Sequence, residues 1–155
     1  MSSQRNTVTK LRLDVRITAI SLVILMVITV PAMYVHELGH AVVCQAQGHR
    51  ADIYVDIYSA VTTCYGDVGS GFGYKLMGGA FAFIVFTFTG LHRSTKGKPW
   101  LYIPLISVGI GHGINAIIET AFYESYINGD PIWVVVMGVA SYIIFFGLLI
   151  KYGRK

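Results

Sequence analysis

Four runs of apolar residues, 17–46, 74–91, 100–120 and 131–151, follow one another along the chain with only short polar stretches between them. Each is long enough for a helix, rising about 1.5 Å per residue, to cross roughly 30 Å of hydrocarbon. Between the first and second runs the period changes. Ile53, Val55 and Ile57 alternate with Tyr54, Asp56 and Tyr58, and Val61 to Tyr65 follow before a glycine-rich turn. Period two broken by a turn is the mark of a hairpin. The pattern predicts an all-α integral membrane protein: a four-transmembrane-helix bundle with a short extracytoplasmic β-hairpin, within 47–73, after the first helix. The whole of 1–155 reads as a single membrane domain.

Composition supports the same class. Hydrophobic residues make up 54% of the chain and charged ones 13%, about half the share usual in soluble domains. Mean hydropathy is +0.60. The first 16 residues, MSSQRNTVTKLRLDVR, form a basic leader without a small-residue cleavage signature, and the apolar run behind them is longer than that of a secretory signal, so the leader is expected to be retained.

Charge then sets the expected orientation. Arg5, Lys10, Arg12 and Arg16 precede the first run; Arg93, Lys96 and Lys98 fill the link between the second and third; Lys151, Arg154 and Lys155 end the chain. Only Arg50 and Lys75 fall on the opposite side. By the positive-inside rule both termini are cytoplasmic, and 47–73 and 121–130 lie outside. Seven of the eight acidic residues fall on or towards that outer side. The net charge of +4 is therefore a matter of topology and of attraction to the lipid bilayer, not of nucleic-acid binding.

Against this background the end of the first run is anomalous, because it reads Tyr-Val-His-Glu-Leu-Gly-His-Ala-Val from Tyr34 to Val42. Ionisable groups inside a membrane are costly and call for a compensating function. His36 lies twenty residues beyond Arg16, or about 30 Å of rise, which puts the motif near the outer edge of the hydrocarbon; a bend at Pro31 can draw it inward. His36 and His40, at i and i+4, share one helical face, and Glu37 sits beside the first. In this spacing two neutral imidazoles bind a zinc ion, and the carboxylate acts as general base on a water acidified by the metal. The competing reading is a polar pair satisfied inside the bundle, or a metal site without chemistry. Gly39 allows close helix approach in either case.

Zinc requires a third protein ligand and an open position. Asp130 heads the fourth run on the outer side, level with the motif. The third run offers His112, Asn115 and Glu119 at i, i+3 and i+7, a polar stripe that must face the bundle interior. Asp130, Glu119 and His112 all remain candidates for the third ligand. Cys44, four residues past His40, reads as a soft ligand, a buried small side chain, or a disulfide partner of Cys64 in an oxidising exterior.

HELGHAVVCQAQGHRADIYVDIY and the following CYGDVGSGFGYKLMGGAFAF resemble the site-2 protease group of intramembrane zinc metallopeptidases, and more closely its small members. The resemblance covers residues 30–131. It implies Zn2+ at His36 and His40, Glu37 as general base, and an aspartate opening the last core helix, here Asp130. The family's Asp-Gly pair is Gly129-Asp130-Pro131 in this chain, and its Gly-Pro-x-x-Asn helix is matched by Gly78 and Gly79 without the asparagine, Phe83 standing in that place. Asn115, from the third run, is the candidate to supply the missing amide at a developing oxyanion. The hairpin either pairs with an extended substrate or covers the site. Two functions follow as expectations: a zinc metalloendopeptidase cutting a membrane-protein or peptide substrate near the outer face, or a non-catalytic accessory subunit held by other membrane subunits.

Overall fold

A computed structural model describes residues 13–57, 59–68, 71–128 and 131–153. Among the described residues, six helices and two strands follow in the order α1 Val15–Ala46, β1 Ala51–Val55, β2 Ala60–Cys64, α2 Phe72–Leu91, α3 Arg93–Lys96, α4 Pro99–Ala121, α5 Tyr123–Ile127 and α6 Pro131–Tyr152. The four long helices fall on the four apolar runs, each within two residues of the expected limits. Each is long and apolar enough to cross a membrane. The short α3 and α5 were not anticipated; four and five residues are too few for an apolar period to register.

Local chemistry explains the ends. Asp14 caps α1, its carboxylate accepting from the Arg16 and Ile17 amides. Pro99 occupies the first turn of α4, where its missing N–H leaves no bond unmade. Gly71 opens α2 at φ 66°, a conformation a side chain disfavours. The strands pair antiparallel, with Ala51 opposite Cys64, Ile53 opposite Thr62 and Val55 opposite Ala60. Their turn is held by the Ser59 amide donating to Asp56 Oδ1.

The helix α4 is the centre of the bundle and packs against α1, α2 and α6. Half of its most apolar window is buried, against 11% for α1 and for the described part of α6. The outer faces of those two helices instead present Met26, Val27, Val139 and Ile143. An apolar exterior of that kind is stable against lipid tails, not water.

Because lipid is as apolar as leucine, helices in such a bundle associate through close backbone packing at small residues. A Cβ built on Gly39 of α1 would run into the Met77 carbonyl of α2, and one on Gly79 would lie 2.5 Å from the Ala116 amide of α4. These two contacts draw α1, α2 and α4 together at the level of the histidines. At the opposite end Ile103, Phe145 and Leu149 form a second apolar cluster against Leu13 and Ile17, and the Asp14 amide donates to the Gly153 carbonyl, tying the start of α1 to the end of α6.

Gly79→Val is expected to destabilise the bundle by about 1–3 kcal/mol through overpacking. Gly147→Ala, with nothing within 4 Å of the new methyl, is expected to have no such cost. Loss of helicity during titration of reconstituted protein with a denaturing detergent measures both.

Candidate metal centre

The polar residues singled out in α1 and α4 meet in one place. His36, Glu37, His40, Asn115 and Glu119 are each 7% exposed or less. His36 Nε2 and His40 Nε2 are 3.1 Å apart. Glu119 brings Oε2 to 3.3 Å from His36 Nε2 and Oε1 to 3.2 Å from His40 Nε2. The convergence follows from two sequence spacings and one packing feature: i, i+4 on α1 puts the imidazoles on one face, i, i+3, i+7 on α4 turns its stripe inward, and the Gly39 and Gly79 contacts bring the helices close.

The outward-facing ring nitrogens are also partnered. His40 Nδ1 lies 2.7 Å from the Tyr74 carbonyl oxygen and must donate to it, so in the neutral ring Nε2 carries a lone pair aimed at the cluster. His36 Nδ1 lies 3.3 Å from His112 Nδ1, so one imidazole donates to the other. Donation by His36 leaves its Nε2 likewise bare. His112 is thus placed behind His36, orienting it, and not among the converging atoms.

Two carboxylates compete for the third position. Glu37 also brings an oxygen within 4.8 Å of a nitrogen of each imidazole. Its Oε2, however, accepts from Thr62 Oγ1 at 2.7 Å, and the same hydroxyl reaches the Glu37 carbonyl oxygen at 2.9 Å. Glu119 Oε2 is buried with no hydrogen-bond partner among the described residues. Glu119 is therefore the carboxylate set against both imidazoles, while Glu37 is engaged by Thr62. Asp130, the other acidic candidate, lies outside the described residues.

These donors fit a metal ion. The two Nε2 atoms lie 3.1 Å apart and each faces one Glu119 oxygen at 3.2–3.3 Å, so with both nitrogens bare the lone pairs repel unless a proton or a metal ion lies among them. Ligands held tetrahedrally at about 2.0–2.1 Å from zinc stand at similar separations, and two histidines with one glutamate are a donor set found in catalytic zinc sites. The space is kept open by Gly78, where a Cβ would overlap His40 Nε2 and come within 2.7 Å of His36 Nε2.

The sulfurs do not join this cluster. Cys44, fully buried on α1, is disulfide-bonded to Cys64 at the end of β2. Of the alternatives left open by the sequence, the structure has the bridge.

A cleft of about 620 Å³ opens beside the cluster between α1, α4 and α6. His36, Glu37, His112 and Asn115 line it, as do Ser59 and Ala60 of the hairpin. Sequence reasoning missed Tyr126 of α5, which also faces the cleft. Burial pushes its hydroxyl above the ordinary tyrosine value, although a hydrogen bond from Asn115 opposes the shift, so at neutral pH it remains a donor. Asn115 Oδ1 has no partner of its own among the described residues. No protein-family model, no curated protein and no solved structure matches this chain.

Purified protein is expected to retain one zinc per chain. His36→Ala, His40→Ala and Glu119→Gln should each abolish retention; Gly78→Ala should weaken it at least tenfold by filling the space between the ring nitrogens; and Asp130→Asn should leave it unchanged. Elemental analysis after dialysis against a graded chelator reads all five, and loss of zinc in Asp130→Asn alone would transfer the third ligand there.

Proposed function

We propose that this chain is a membrane-embedded zinc metalloendopeptidase, with His36, His40 and Glu119 holding the ion and Glu37 as general base. One observation carries the reading: the buried Glu119 carboxylate sits 3.2 and 3.3 Å from two imidazole nitrogens whose rings are held from behind. The motif resemblance to the site-2 protease group supports it and rests on the sequence alone.

Zinc held there supplies Lewis acidity, polarising a peptide carbonyl and lowering the pKa of water. The chain's own residues supply the remainder. Glu37, on the cleft wall, takes the proton from the attacking water and delivers it to the departing amine. The Tyr126 hydroxyl and the Asn115 amide are the donors on that wall available to the carbonyl oxygen as charge develops on it. The cleft runs from Leu25 and Thr29, deep along α1, to Ser59 and Ala60 of the hairpin, so it suits an apolar segment in extended form. The substrate class is accordingly a membrane protein or membrane-bound peptide. With the basic loops inside, the termini are cytoplasmic and hydrolysis occurs towards the outer face.

One observation favours the accessory-subunit reading. Phe83 of α2 packs on Gly113, whose added Cβ would lie 3.0 Å from its ring, where the resembling family has an amide donor.

The deciding experiment is cleavage of a library of single-span peptides in liposomes by wild type and Glu37→Gln. The variant should keep its zinc and lose activity by on the order of 10²–10⁴-fold. No cleavage by either form, with other subunits co-purifying in fixed ratio, would replace the peptidase by the accessory subunit.

A further inference from the structure

Glu37 is held from outside its own helix, by a strand that a disulfide ties back to α1. Thr62 Oγ1 donates to Glu37 Oε2 at 2.7 Å and also contacts the Glu37 carbonyl. Thr62 sits mid-strand in β2, at the hairpin end of the bundle, on a two-stranded ribbon of five residues per strand. An isolated ribbon of that size is marginal by itself. Two anchors fix it over the site: the Tyr74 hydroxyl donates to the Thr62 carbonyl at 3.1 Å, and the Cys44–Cys64 disulfide ties the second residue after Thr62 to the α1 turn just beyond His40. Tyr74 belongs to the centre as well, since its own carbonyl accepts from His40 Nδ1. Metal ligand, strand and general base therefore form one connected network, and the disulfide is its only covalent cross-link.

We propose that Thr62 is a positioning residue for Glu37, and that the Cys44–Cys64 disulfide makes this positioning, and with it hydrolysis, conditional on an oxidised exterior. The inference rests on the peptidase reading for its catalytic consequence, but the placement of the Glu37 carboxylate is measurable without it. Cys44 is fully buried and Cys64 half-buried, so a reductant enters at the Cys64 sulfur. With a trialkylphosphine, phosphorus attacks that sulfur and the Cys44 thiolate leaves; water then releases the Cys64 thiol and the phosphine oxide. Two electrons pass from phosphorus to sulfur, and water provides the oxygen and both protons. The strand then keeps its hydrogen bonds and its packing on α1 without the covalent tie, and Thr62 leaves Glu37 for part of the time.

The test uses the full chain in liposomes, with and without phosphine, together with Thr62→Val, Thr62→Ser and the double variant Cys44→Ala/Cys64→Ala. Cleavage of a single-span peptide is followed as kcat and KM, zinc content is followed in parallel, and the Glu37 carboxylate stretch is isolated by infrared subtraction of Glu37→Gln. Reduction should lower kcat about 10–100-fold with KM and zinc little changed, and reoxidation should restore it. Thr62→Val should match the reduced protein, Thr62→Ser should match the oxidised one, and the double variant should be slow and indifferent to phosphine. The carboxylate band should move in every slow form and stay in place in Thr62→Ser. An unmoved band in Thr62→Val overturns the positioning role, and an unmoved band on reduction overturns the disulfide's part in it. A band that moves in oxidised-versus-reduced protein that never cleaves would remove the peptidase reading while keeping the latch.

Discussion

Two imidazole nitrogens and the two oxygens of one carboxylate meet inside a bundle whose outer faces are apolar, and the rest of the molecule is arranged around that meeting. Bringing such groups out of water costs several kcal/mol per charge unless a partner compensates, and lone pairs facing one another add to the cost. A bound cation reverses the sign of the problem. Groups that repel when bare become mutually compatible once positive charge lies between them, so under the proposed zinc reading folding of this region would be linked to metal binding.

Several features that look separate serve that convergence. Gly39, Gly78 and Gly79 let three helices approach at one level, and Gly78 leaves the space into which the ring nitrogens point. The central position of α4 puts Glu119 opposite α1. Backing by the Tyr74 carbonyl and by His112 selects the ring faces turned inward. On the far side, the hairpin carries Thr62 to Glu37 and so separates the two glutamates by surroundings: Glu37 accepts from a hydroxyl, and Glu119 lies against the imidazoles.

Much of this was legible in the sequence. Continuous apolar runs fixed the four long helices to within two residues, because in lipid the backbone must satisfy its own hydrogen bonds and the helix ends where the apolar run ends. The i, i+4 histidines and the stripe of His112, Asn115 and Glu119 announced their shared faces through the 3.6-residue period. Alternation of Ile53, Val55 and Ile57 with Tyr54, Asp56 and Tyr58, followed by Val61 to Tyr65, pointed to the hairpin. What stayed open depended on helix rotation and distance between elements, which periodicity does not encode. The choice among Glu119, His112 and Asp130 is of this kind; the structure puts Glu119 at the imidazoles and His112 behind one of them, while Asp130 lies outside the described residues. So is Thr62, an ordinary strand threonine until the register sets it opposite Ile53 and over α1. Tyr126 was hidden because α5 spans only five residues. The cysteine pair was readable as spacing but not as a bond, which requires the hairpin to fold back on the end of α1.

X-ray absorption at the zinc edge of the purified protein in membranes tests the central claim most directly. The account predicts a first shell of nitrogen and oxygen only, at about 2.0–2.1 Å, with the outer-shell scattering of two imidazoles. A shell containing sulfur at about 2.3 Å, or only one imidazole, would contradict it.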